Sequence, residues 1–105
     1  QAFVTLNDPV FVEAAKALAD RMNDPTLPLE ERLSRGFRFC LARPPGDAEL
    51  DRLKTLYERT QQAYTEDKQA ARELLDDDRP APAERAAMAV VANVLLNLDE
   101  VLSKK

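Results

Sequence analysis

Apolar residues along this chain recur at intervals of three and four, and the recurrences break at prolines and at short acidic or amide runs. Val10, Phe11, Ala14, Ala15, Leu18 and Met22 form the first such stripe, with Glu13, Lys16, Asp20 and Arg21 largely on the other side. That period belongs to an amphipathic helix. Asp8-Pro9 suits its start, because aspartate caps free amides and proline fits the first helical position. Asn23-Asp24-Pro25 ends it, and 25–28 is a short loop. A second helix is expected from Pro28 or Leu29, with Leu29, Leu33, Phe37, Cys40 and Leu41 buried and Gly36 beside them as the mark of a close crossing. Pro44-Pro45 is expected to stop it at about Arg43, since the residue before a proline is pushed out of helical geometry.

Gly46-Asp47-Ala48-Glu49 reads as a third helix start, with Glu49 in the first turn where its charge suits the dipole. Leu50, Leu53, Leu56, Tyr57 and Tyr64 give its stripe. Asp67 is placed to cap a shorter helix carrying Ala70, Ala71, Leu74 and Leu75. Asp76-Asp77-Asp78 oppose the dipole at a helix C-terminus, so they are assigned to a solvated loop running through Pro80 and Pro82. The last segment, from about Ala83 to Leu102, is apolar almost all round. Such a helix is either central in a core or covered by another domain. The expected fold is therefore all-α, a compact bundle of four to five helices in a single domain spanning residues 1–105.

Composition supports this. Two glycines, Gly36 and Gly46, are too few for the turns of a sheet-rich fold. The net charge of −4 gives no global basic face, which argues against a nucleic-acid partner. No apolar run is long enough to cross a bilayer. The chain begins at Gln1 rather than methionine, and the expectation is a C-terminal fragment of something longer. Cys40 is the only cysteine. It admits no internal disulfide, leaves the compartment open, and lies on an apolar stripe where a thiol packs as a small hydrophobe.

The chemistry available is narrow. The chain has no histidine, which removes the usual general base and the commonest metal and haem ligand. Two glycines ten residues apart cannot form a phosphate-binding loop, and neither Ser34 nor Ser103 lies in a nucleophile elbow. No catalytic, cofactor-binding or metal-ligating residue is assigned. A polar cluster is the candidate instead. Arg38 or Arg43 is expected to reach a buried carboxylate or helix terminus as a structural pin, with Asp8, Asp99 and Glu100 as available acids. Asn93 and Asn97, four residues apart on the last helix, are expected to tie it to loop backbone near Asn7, because buried amides must be hydrogen-bonded. A contact with a missing partner domain is the other reading of that pair.

Thr5 to Ala15, then Phe37-Arg38 with Ala42-Arg43-Pro44-Pro45 and Glu49-Leu50, then Ala89 to Glu100, occur in an order that resembles the large planctomycete and verrucomicrobial proteins combining cytochrome-c-like domains with domains of unknown function. Met88 stands where such sequences often carry tryptophan, and Gly46 where serine or threonine is common. The resemblance implies the C-terminal end of a conserved domain without assigned activity, upstream domains of the same polypeptide as partners, haem in those domains rather than here, and export to the periplasm or cell surface. The leading expectation is a non-catalytic structural or interaction domain completing such a protein, with self-association or exposed apolar surface in the isolated chain. A strictly monomeric chain that buries its own last helix would count against it. The alternatives are a contribution to a polysaccharide-active site, marked by Asp8, Arg38, Arg43 and Asp99 meeting in a cleft, and a helix-turn-helix-like nucleic-acid module, which the acids interleaved with Arg52, Lys54 and Arg59 disfavour.

Overall fold

A computed structural model describes the backbone of residues 9–103 and the side chains of residues 13–98. Within that range the chain forms five helices and no strand: α1 (Pro9–Met22), α2 (Leu29–Leu41), α3 (Asp47–Glu66), α4 (Lys68–Leu75) and α5 (Pro82–Ser103). The all-α bundle expected from the three- and four-residue periodicity is the fold observed.

Local chemistry sets each boundary. After α1 the Asp24 carboxylate accepts from both the backbone N–H and the hydroxyl of Thr26, at 2.9 and 2.7 Å, which closes an Asx turn. Arg32 reaches back from α2 to the Leu27 carbonyl at 2.9 Å and to Asn23 at 3.2 Å, holding that connection to the helix it feeds. Glu30 and Glu31 lie in the first turn of α2, where no side chain caps the amides.

α2 stops at Leu41, two residues before the position expected from Pro44-Pro45. Ala42 adopts a left-handed conformation with φ of 59°, and its N–H bonds the Arg38 carbonyl at 2.9 Å. This is a helix cap of the kind usually made by glycine. The local cap, not the steric reach of the proline, ends the helix.

At the start of α3 the Glu49 carboxylate accepts from the Gly46 N–H at 2.8 Å. Asp67 caps α4 as expected, accepting from the Ala70 N–H at 3.1 Å. α4 ends at Asp76, again left-handed, whose N–H bonds the Arg72 carbonyl at 2.7 Å.

α5 occupies the middle and touches all four other helices. Ala83, every residue from Ala86 to Asn93, and Leu95 are buried. Its small alanines let neighbours approach on every side, so a helix without a polar face is satisfied by its own domain. Of the two explanations for this helix, a central place in the core is the one observed. Around it pack Ala15, Ala19 and Met22 of α1, Leu33 and Phe37 of α2, Leu53, Tyr57 and Tyr64 of α3, and Ala71 and Leu75 of α4. Cys40 is half-buried against this core. At Gly36, α2 packs closely on Met22 of α1. A Cβ there would overlap the Met22 thioether and stand 2.9 Å from its Cγ.

Candidate functional site

The expected polar cluster divides. Asn7 and Asp8 lie outside the described residues, as do the side chains of Asp99 and Glu100. Asn93 is buried on α5 but Asn97, four residues on, is exposed. The two amides do not share one buried environment, because the unbroken buried run of α5 ends at Asn93 and Asn97 lies beyond Leu95, the last buried residue among those described. Arg38 and Arg43 do come together, on the walls of an open cleft of about 610 Å³ at the C-terminal end of α2, lined also by Arg35, Phe39, Ala42 and Pro44.

Arg43 is pinned there, but by an acid other than Asp8, Asp99 or Glu100. Its guanidinium donates to both oxygens of Glu49, at 3.0 and 2.9 Å, and lies 4.9 Å from the centroid of the Phe37 ring. The fork ties the end of α2 to the first turn of α3, with Glu49 also held by Gly46. Arg43 foremost, then the Gly46 N–H, hold the Glu49 carboxyl down at about 2. A carboxylate so stabilised in its charged form is a poor proton acceptor at neutral pH.

The rest of the cleft is less committed. Phe39 is exposed to 52%, and the Arg21 guanidinium from the last turn of α1 lies 4.8 Å from its ring centroid. Arg35 donates to the Arg21 carbonyl at 3.3 Å. Among the described residues no carboxylate lies within ion-pair distance of Arg21, Arg35 or Arg38.

A second fork was not anticipated. Arg85 in the first turns of α5 donates to both oxygens of Asp77, at 2.8 and 2.7 Å, and its side chain is only 12% exposed. Asp77 is thus drawn out of solvent while Asp76 and Asp78 remain exposed, which corrects the assignment of all three to a solvated run. Arg85, then the Arg79 N–H, hold the Asp77 carboxyl far below its ordinary 3.8. The available signal was a lone arginine among the alanines of an otherwise apolar helix, which demands a counter-charge.

Two further features complete the surface. A groove of about 430 Å³ runs along α3 past Arg52, Leu56 and Arg59, and beneath it the Thr60 hydroxyl is buried without a hydrogen-bond partner. Lys54 of α3 pairs with Glu30 of α2 at 2.8 Å. Among the described residues no group of histidine, cysteine or carboxylate side chains is arranged to hold a metal ion, and no helix is long and apolar enough to cross a membrane.

Fold and site together define a small helical domain in which ion pairs such as Arg43–Glu49, Lys54–Glu30 and Arg85–Asp77 tie one element to another, while Arg21, Arg35 and Arg38 have no carboxylate partner among the described residues. The family model described as PSD1, protein of unknown function (DUF1553), matches residues 1–57, just over half of the 105-residue chain, and the chain belongs to that family. The matched stretch takes in α1, α2 and α3 as far as Tyr57, including the whole arginine-lined cleft. No curated protein and no solved structure matches the chain.

Proposed function

We propose that this chain is a non-catalytic structural and interaction domain that completes a larger exported multidomain protein. One observation supports this reading above the others. Each strongly perturbed carboxylate among the described residues is locked by a two-pronged arginine, Glu49 by Arg43 and Asp77 by Arg85, and is shifted toward permanent charge. Sites that move protons need the opposite, a group poised near the working pH. The described lining of the arginine cleft contains no carboxylate, whereas glycosidic bonds are cleaved by paired acids.

The burial of α5 by its own neighbours removes the argument that another domain must cover that helix, and weighs against a partner docking there. What remains for a partner is the outer surface, where Phe39 and Leu98 are the large apolar side chains left exposed among the described residues. Export, and haem in upstream domains, rest on the resemblance in sequence.

The parent polypeptide tests this. Cell fractionation with an antibody against the chain should find it outside the cytoplasm as part of a larger product. Any polysaccharide turnover by the purified parent should be no slower when Arg38 and Arg43 are replaced. A cytoplasmic product of the chain's own size, or turnover abolished by those replacements, would overturn the reading.

A further inference from the structure

We propose that the cleft at the C-terminal end of α2 docks an acidic segment of a protein partner, with an apolar side chain on Phe39 and flanking carboxylates on Arg21, Arg35 and Arg38. The proposal rests on the reading of the chain as an interaction domain and names what that surface takes.

Charge complementarity carries it. The chain as a whole is acidic, with a net charge of −4, yet Arg21 lies over the exposed Phe39 ring while Arg35 and Arg38 line the same cleft, and none of the three has a carboxylate within ion-pair distance among the described residues. The C-terminal dipoles of α1 and α2 account for a basic residue at each helix end, but only about half a charge apiece. The acids nearby are already engaged or offset. Asp24 holds Thr26 and offsets Arg35 only at longer range, and Glu49 is taken by Arg43. Glu31 lies one turn before Arg35 on α2, and Asp20 reaches toward Arg79 at 3.6 Å.

The arrangement is also partly built in advance. Arg35 is anchored on the Arg21 carbonyl and Arg21 is laid on Phe39, so less side-chain freedom is lost when a carboxylate arrives. A guanidinium fork matches a carboxylate with two parallel hydrogen bonds. Phe39 gives an aliphatic or aromatic side chain a surface that a bare polyanion would leave unused. A long nucleic acid or sulfated glycan would have to continue past the cleft over an acidic molecule, and that repulsion favours a short peptide.

The test is an amide chemical-shift titration of the labelled chain with a short polyglutamate peptide bearing one central leucine, at low salt. Shifts should concentrate between Arg35 and Ala42 and at Arg21, and binding should weaken as salt rises. Arg38→Glu should weaken affinity about tenfold and Phe39→Ala severalfold, whereas Arg59→Glu on α3 should leave it unchanged. All three positions are exposed, and thermal melting of each variant confirms the fold. Absence of shifts at the end of α2, or equal binding by Arg38→Glu, overturns the proposal. So does tighter binding at the same residues by a sulfated oligosaccharide or an oligodeoxynucleotide. Salt-sensitive dimerisation of the unliganded chain that Arg38→Glu abolishes assigns the cleft to a second copy and overturns it equally. The proposed function fails on fractionation or on turnover by the parent, neither of which this titration reads, so the two failures are separate.

Discussion

Gly36 sits where two requirements on a helix oppose each other. Alanine there would gain about 1 kcal/mol of intrinsic helix preference. Its Cβ, however, would overlap three successive heavy atoms of the fully buried Met22 side chain. Overpacking of that kind costs about 1–3 kcal/mol, and Met22 has no solvent to retreat into. Gly36→Ala should therefore lower stability by about 1 kcal/mol in urea denaturation, whereas in a Met22→Ala background it should raise stability by about 1 kcal/mol, giving a coupling of about 2 kcal/mol between the two. An additive pair would sink the argument. Thr60 presents the reverse case. Its hydroxyl is buried without a partner, and an unsatisfied buried donor costs about 1–3 kcal/mol. Valine keeps the branched shape, so Thr60→Val should raise stability by about 1 kcal/mol. A loss of stability in that variant would reveal a partner for the hydroxyl.

At the scale of elements, the left-handed residues are what sequence pattern could not reach. The five helices were legible because their apolar spacing and their caps agree. Asp67 accepts from the Ala70 N–H as its position suggested, and Glu49 folds back to Gly46. Gly36 too was legible as a close crossing. Ala42, Asp76 and Ala81 all have positive φ near 55–60°, and none is glycine, the usual signal for such a turn. Both arginine forks depend on them. Arg43 turns toward Glu49 because the chain reverses at Ala42, and Arg85 faces Asp77 because Ala81 bends the chain into α5. Neither pairing follows from spacing along a continuous helix, so Glu49 is not among the acids that the sequence offers for Arg43. Ala42 is also a strained position, since alanine in the left-handed region is disfavoured by roughly 1 kcal/mol. Ala42→Gly should stabilise the domain by about 0.5 kcal/mol once glycine's greater unfolded-state freedom is subtracted, as read from the denaturation midpoint. A destabilised Ala42→Gly variant would show that the cap is not under strain.

For the molecule as a whole, the charge chemistry gives an unusually simple dependence on pH. With no histidine in the chain, no side chain has an ordinary pKa between about 5 and 8, so the melting temperature should be level across that range. Below it the carboxylates decide. Asp24, Glu30, Glu49 and Asp77 all have folded values lowered from 3.8 or 4.5, chiefly by hydrogen bonds from Thr26, Lys54, Arg43 and Arg85 respectively. The unfolded chain therefore binds more protons than the folded one in the acid range, and stability rises with pH there. Their contribution is complete above about pH 4.5 and is lost as the pH falls toward the folded values, about 2 for Glu49. On the alkaline side the sign reverses. Burial, with Glu84 beside one phenol and Asp67 beside the other, raises Tyr57 and Tyr64 above 10.0. Their contribution holds below that value and is lost as the pH climbs through the raised ones. Melting curves followed by circular dichroism should thus show a plateau with a fall at each end. Asp77→Asn should melt lower on the plateau and show a shallower acid fall, because the carboxylate that Arg85 protects from protonation is gone. An acid limb of unchanged steepness in Asp77→Asn would mean that the fork between the α4–α5 turn and the central helix does not hold the acid-sensitive stability of this domain.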